Sequence, residues 1–145
     1  MSVPPDLVHS LRQWVLKAEE DFRAATLLAA LVTSEGDDAP LVAVCFHAQQ
    51  CVEKYIKALL TQSGIAVRKT HNLVALWRAL PAAQSAAFKD EDLAILTRYA
   101  VQQRYPEDYE PVTAEEAATM VRLMTELRAV ARALLPPASF EKPIQ

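Results

Sequence analysis

Glycine is nearly absent from this chain, with two in 145 residues. That scarcity excludes the glycine-rich loops that cradle phosphates or dinucleotides, since both need several glycines within a few positions. Cysteine is equally scarce. Cys45 and Cys51 lie on what reads as one helix, pointing about 120° apart and roughly 9 Å apart along its axis, which excludes a disulfide between them. Cys51 and His47 fall one turn apart, but two ligands do not make a tetrahedral site, and no metal is expected. The helical His-Glu-x-x-His zinc pattern and a serine-nucleophile motif are also missing. No apolar run reaches the roughly 18 residues of a membrane span, and no signal peptide is expected. These absences lead to the expectation of a soluble, cytoplasmic protein without a cofactor. A dominant charge is lacking too. Fifteen Lys and Arg against 18 Asp and Glu leave a net charge of −3, so any nucleic-acid contact must come from a local patch.

What the chain does have is helical periodicity. Hydrophobic residues make up 52% of it, and the nine prolines fall at the ends of periodic runs rather than inside them, as helices joined by short loops require. The organising stretch is Leu41 to Ser63. Leu41, Val44, Cys45, Ala48, Val52, Tyr55, Ile56 and Leu59 form one apolar stripe, the core-facing side of a long helix. The opposite arc carries Phe46, His47, Gln50, Glu53, Lys54, Lys57 and Thr61. An aromatic ring among such residues points to a covered face, with Glu53 and the lysines hydrogen-bonded rather than simply wet. The alternative is that Phe46 fills a gap between helices.

Around this helix the pattern predicts a first helix from Asp6, as cap, to about Thr33, with Leu7, Leu11, Trp14, Ala18, Phe22, Ala25, Ala29 and Val32 inward. Asp38 is the expected cap of the central helix, and Gly64 its C-terminal stop. A short helix over about Leu73 to Leu80 comes next, then a small-residue connector from Ala82 to Ala87. A fourth helix runs from Asp90 to about Arg104, where Pro106 disfavours its continuation. Thr113 and Glu116 form a capping box for a last helix ending near Leu135. The expected domain is one all-α antiparallel bundle of four to five helices over residues 6–135, with flexible termini at 1–5 and 136–145.

The polar residues that a simple core does not need are His47, Gln50 and Lys54 on the central helix, Lys69 and His71 in the loop after it, and Arg104. Basic groups near helix ends suit anions, and a guanidinium pairs well with phosphate. Structural roles compete: a helix dipole favours Arg104 where it stands, Asn72 or Thr70 can cap the short helix, and His71 can hold its loop.

Four stretches in order resemble the HEPN domain family. They are Trp14 with Ala18-Glu19-Glu20-Asp21, the Phe46-His47-Ala48-Gln49-Gln50-Cys51-Val52-Glu53-Lys54 run, Lys69-Thr70-His71-Asn72-Leu73, and Arg104-Tyr105-Pro106. The resemblance implies a homodimer of helical bundles, which would bury Phe46 in a seam. It further implies pairing with a minimal nucleotidyltransferase, often as a toxin and antitoxin. Some members of the family are metal-independent ribonucleases with an Arg-x4-6-His motif. Here Tyr109 stands where that histidine is expected, and no histidine follows His71, so the proton-transfer partner is missing. The resulting expectation is a non-catalytic or weakly active dimeric binding module. Arg104, Lys69 and Lys54 would hold nucleotide or RNA phosphate, His47, Gln50 and His71 would orient a base or a partner side chain, and Tyr105 and Tyr109 would be acceptors of a nucleotidyl group. The alternatives are a ribonuclease toxin with a degenerate motif and a purely structural dimer.

Overall fold

The computed structural model describes residues 3–99 and 111–142, and among these the chain is all helix and turn. The described α-helices are, in order, α1 (Pro5–Ala29), α2 (Val32–Glu35), α3 (Leu41–Gln62), α4 (Leu73–Arg78), α5 (Ala82–Ser85), α6 (Asp90–Thr97) and α7 (Ala114–Leu134). Helix α3 is the hub. It packs along α1 on one side and α7 on another, while α4 and α6 close the remainder.

Every residue of the expected apolar stripe of α3 is buried, from Leu41 to Leu59. Burial extends beyond it to Cys51, Ala58 and Leu60, because a helix packed on several sides has no free face. Each fully buried large apolar side chain contributes about 1.5–3 kcal/mol, so Ile56, Leu59 and Leu60 alone outweigh many surface contacts. On α1 the inward line is Leu11, Val15, Ala18 and Ala25, with Trp14 and Phe22 half-buried beside it. The two alanines let α1 approach α3 closely.

The ends of the helices follow their local chemistry. Gly64 adopts φ +71°, Ile65 N donates to Leu60 O at 2.9 Å and Gly64 N to Thr61 O at 3.1 Å. This double bond pattern satisfies the last carbonyls of α3. Of the two candidate caps Asn72 and Thr70, Asn72 caps α4 by accepting from Ala75 N at 3.1 Å. Thr113 accepts from Glu116 N at 3.1 Å, but the Glu116 carboxylate takes the Tyr99 hydroxyl at 3.2 Å instead of closing the box.

Several expectations need correction. Asp6 is not a cap, since Pro4 holds that position and Asp6 lies in the first turn of α1, where it complements the helix dipole. Helix α1 stops at Ala29 rather than Thr33, because Leu31 N turns to Leu28 O at 3.1 Å, a tightening that ends the run. Nor does Asp38 cap α3. It sits in a 3-10 turn over Gly36–Asp38, and Pro40 occupies the cap position. Neighbouring Asp37 instead accepts from Ala114 N at 2.8 Å and caps α7 across the fold. The connector after α4 holds one helical turn, α5. Helix α6 ends at Thr97, and the stretch from residue 100 to Arg104 lies outside the described residues.

The tail also differs from expectation. Pro137–Phe140 forms a 3-10 turn folded back on α1. Arg12 Nε donates to Ala138 O at 2.8 Å and Arg12 Nη2 to Glu141 Oε2 at 2.8 Å. Phe140 packs against the core and lies under the Arg132 guanidinium, 4.1 Å from its ring centre. The prolines stop α7 without freeing the segment after it, because an aromatic ring and two arginines hold that segment down.

Candidate functional site

The seam between α1 and α3 holds a line of charged groups where both helices face inward. Asp21 stands between Ala18 and Ala25 on the core stripe of α1 and is 8% exposed. A carboxylate so placed requires partners to offset its lost hydration. Helix α3 supplies them from positions two turns apart on one face. His47 Nδ1 lies 2.8 Å from Asp21 Oδ1, and Lys54 Nζ donates to Asp21 Oδ2.

A second acid anchors the next segment. Glu53 is 4% exposed and accepts from Gln49 Nε2 at 3.2 Å, Lys57 Nζ at 3.1 Å and, from the loop after α3, His71 Nδ1 at 2.7 Å. Gln50 Nε2 donates to Gln49 Oε1 at 2.6 Å, extending the chain of bonds. The Lys57 ammonium also sits 5.9 Å from the Trp14 ring centre, a cation over an aromatic face. Glu53 and the lysines are therefore hydrogen-bonded, as the polar arc predicted, and Glu53 and Lys57 are buried rather than only covered.

Each imidazole turns Nδ1 to a carboxylate, so Nδ1 carries the proton in the neutral ring and Nε2 is left as an acceptor. Gln50 Oε1 makes no hydrogen bond with a described residue, because its amide nitrogen points to Gln49. The seam thus leaves the Gln50 oxygen and, in the neutral rings, the two Nε2 atoms as acceptors, and has its cations already matched. Phe46 lies half-buried at its edge, its ring edge-on to that of His47 at 5.4 Å.

A third network lies on the far side of α1. Glu19 accepts from Tyr55 OH at 2.8 Å, from Arg128 Nε at 2.8 Å and Nη2 at 2.5 Å, and from Arg132 Nη1 at 3.4 Å. Arg132 Nη1 also donates to Tyr55 OH at 3.2 Å, and Arg128 lies 4.1 Å from the Phe22 ring centre. Burial pushes the Glu19 carboxyl up, yet the bonds from Arg128 and Tyr55 and the charges of both arginines bring it below its ordinary value. Burial pushes the Tyr55 hydroxyl well up. Arg128 is raised, first by its bonds to Glu19. This network locks α1, α3 and α7 together.

The structure ties four of the sequence-predicted residues into these networks: His47 and Lys54 to α1 through Asp21, and Gln50 and His71 to α3 through Gln49 and Glu53. Lys69 is exposed and forms no ion pair with a described residue. Arg104, Tyr105 and Tyr109 lie outside the described residues. Sequence reasoning missed Asp21 as the organising acid, although its signal was available: an aspartate at a helical step between two inward alanines. It also missed Arg128 and Arg132, whose positions on a last helix carry no such mark. Burial pushes the Cys45 thiol up to about 12 and raises Cys51 further, so neither is a nucleophile at neutral pH. Among the described residues, no three His, Cys, Asp or Glu side chains are placed to share a metal, and no described helix is long and apolar enough to cross a membrane.

A family model described as HEPN domain matches residues 11–134. Two crystal structures share the fold. One, from Thermus thermophilus, superposes with a TM-score of 0.68 at 23% identity, over 86% of this chain and 98% of that one. The other, an archaeal HEPN homologue, gives a TM-score of 0.63 at 23% identity, over 86% and 96%. Among curated proteins no match is found.

Proposed function

The chain belongs to the HEPN domain family, and from that premise we propose that it acts as a binding module whose α1–α3 seam docks a protein partner. The observation that carries this reading is the pairing at Asp21, which holds both His47 and Lys54. A phosphate approaching Lys54 would have to displace a carboxylate that is already desolvated and bonded twice. A partner offering hydrogen-bond donors meets free acceptors instead, with Phe46 as an apolar anchor beside them. The partner of choice is a minimal nucleotidyltransferase, in a toxin–antitoxin type of pair, with the HEPN chain as a homodimer. Nucleotide or RNA phosphate would be met by the exposed Arg68 and Lys69 of the loop and by Arg104, rather than by the seam lysines.

The test is titration calorimetry of the purified chain with a minimal nucleotidyltransferase as the candidate partner. Phe46→Ser should weaken binding by about tenfold or more, the scale of losing an aromatic anchor, with the helical circular dichroism unchanged. Equal affinity for variant and parent would overturn the reading.

One observation favours a second reading, a metal-independent ribonuclease. His71 keeps 57% of its side chain exposed while Glu53 holds its Nδ1, the orientation in which an imidazole serves as a general base. Cleavage of labelled RNA in chelator by the parent, lost in both His71→Ala and Arg104→Ala, would put this reading first. No cleavage by the parent removes it.

A further inference from the structure

A cleft of about 200 Å³ opens between α1 and the 3-10 turn after α7. Its apolar wall is Val15, Leu16 and Phe140, and Leu16 is one of few large hydrophobic residues left exposed, at 42%. Two guanidinium groups border it, those of Arg12 and Arg132.

The donors of these arginines are only partly used. A guanidinium carries five N–H groups. Arg132 spends Nη1 on Glu19 and Tyr55, leaving Nε and Nη2 without a described partner. Arg12 spends Nε on Ala138 and Nη2 on Glu141, leaving Nη1. The acids nearby do not absorb the surplus. Glu19 is also held by Arg128, and Glu141 is an exposed residue with one arginine contact. Ser139 lines the same cleft at 2% exposure, and its Oγ has no partner among the described residues.

Apolar walls and unspent planar donors together select for one kind of guest. A neutral hydrocarbon leaves the guanidinium groups unanswered, and a bare inorganic anion leaves the walls in contact with water. A carboxylate on a compact apolar body answers both, since guanidinium and carboxylate pair through two parallel hydrogen bonds. An apolar cavity of ~150 Å³ holds a benzene-sized body, so the volume suits such a molecule. We propose that this cleft is a binding site for a small apolar monocarboxylate, separate from the α1–α3 seam and independent of what docks there.

Heteronuclear NMR titration of the full chain with benzoate, using benzamide as the neutral isostere and inorganic phosphate as the bare anion, tests it. Benzoate should move the backbone amides of Val15, Leu16 and Phe140 and bind about tenfold or more tightly than either control. Leu16→Glu, at a position exposed enough to keep the fold, should weaken benzoate about tenfold, and Arg132→Gln should do the same. Glu141→Gln should tighten binding by freeing Arg12. Equal binding of benzamide or phosphate, shifts confined to other residues, or an unchanged affinity in Leu16→Glu would overturn the assignment. The Leu16 variant decides even where the arginine variant fails to fold.

Discussion

His47 on α3 and Asp21 on α1 are joined at 2.8 Å, and the second oxygen of the same carboxylate holds Lys54. One acid thus binds two basic side chains two turns apart on the neighbouring helix, and its removal leaves both without their partner. Asp21→Ala should destabilise the fold by about 2–3 kcal/mol, somewhat below the ~3–5 kcal/mol lost when a fully buried pair is broken, because His47 and Lys54 keep partial access to water. Double replacement of Asp21 and Lys54 by leucine should recover much of that loss. Urea unfolding measures both. A loss under ~0.5 kcal/mol in Asp21→Ala, the range of an ordinary surface substitution, would show that the seam is not held by this acid.

The Glu19 network predicts a pH dependence. Its carboxyl lies below the ordinary value of 4.5 in the folded state, where Arg128, Tyr55 and Arg132 outweigh the cost of burial. A depressed acid binds fewer protons folded than unfolded, so its contribution is fully present above about pH 4.5 and is lost as pH falls through the folded value. The urea midpoint should therefore drop on acidification through this range, and Glu19→Gln should be less stable at pH 7 with a shallower drop. An identical pH profile in the variant would exclude Glu19 as a source of the effect.

Cys45 and Cys51 are both buried and both raised, Cys45 to about 12. Thiolate is the reactive form, so a thiol reagent at pH 7 should label neither residue in the native protein and both in urea, with native labelling limited by unfolding. Rapid labelling of either cysteine in the folded chain, read by intact mass, would contradict their placement.

Tyr105 and Tyr109 are the proposed acceptors of a nucleotidyl group from the partner. Co-expression with that nucleotidyltransferase should add one or more nucleotidyl masses to the peptide containing them, and replacing both tyrosines with phenylalanine should abolish the addition. An unmodified peptide after co-expression rejects the proposal.

Helical periodicity is sufficient to settle the architecture. The stripe from Leu41 to Leu59 is buried to its last residue, and the stop at Gly64 and the start at Asn72 lie where a left-handed glycine and a side-chain N-cap require them. These features are local: they depend on residues within four positions of one another, so sequence order carries them. The family resemblance was legible for the same reason, since its most specific run lies within a single helix. Which acid each base would meet was not local. Asp21 reaches His47 across 26 positions, Arg128 reaches Glu19 across 109, and Arg12 reaches Ala138 across 126. The sequence by itself determined that polar groups lie on the second face of α3 and that they need partners. Only the packing of α1 against α3, close because Ala18 and Ala25 are small, decided that Asp21 would pair with Lys54, read as a phosphate ligand, and with His47, read as orienting a base or partner. Only the fold-back after Pro136 and Pro137 placed Phe140 over α1 and created the cleft beside Arg12 and Arg132, because burying that ring against the core outweighs leaving the tail free.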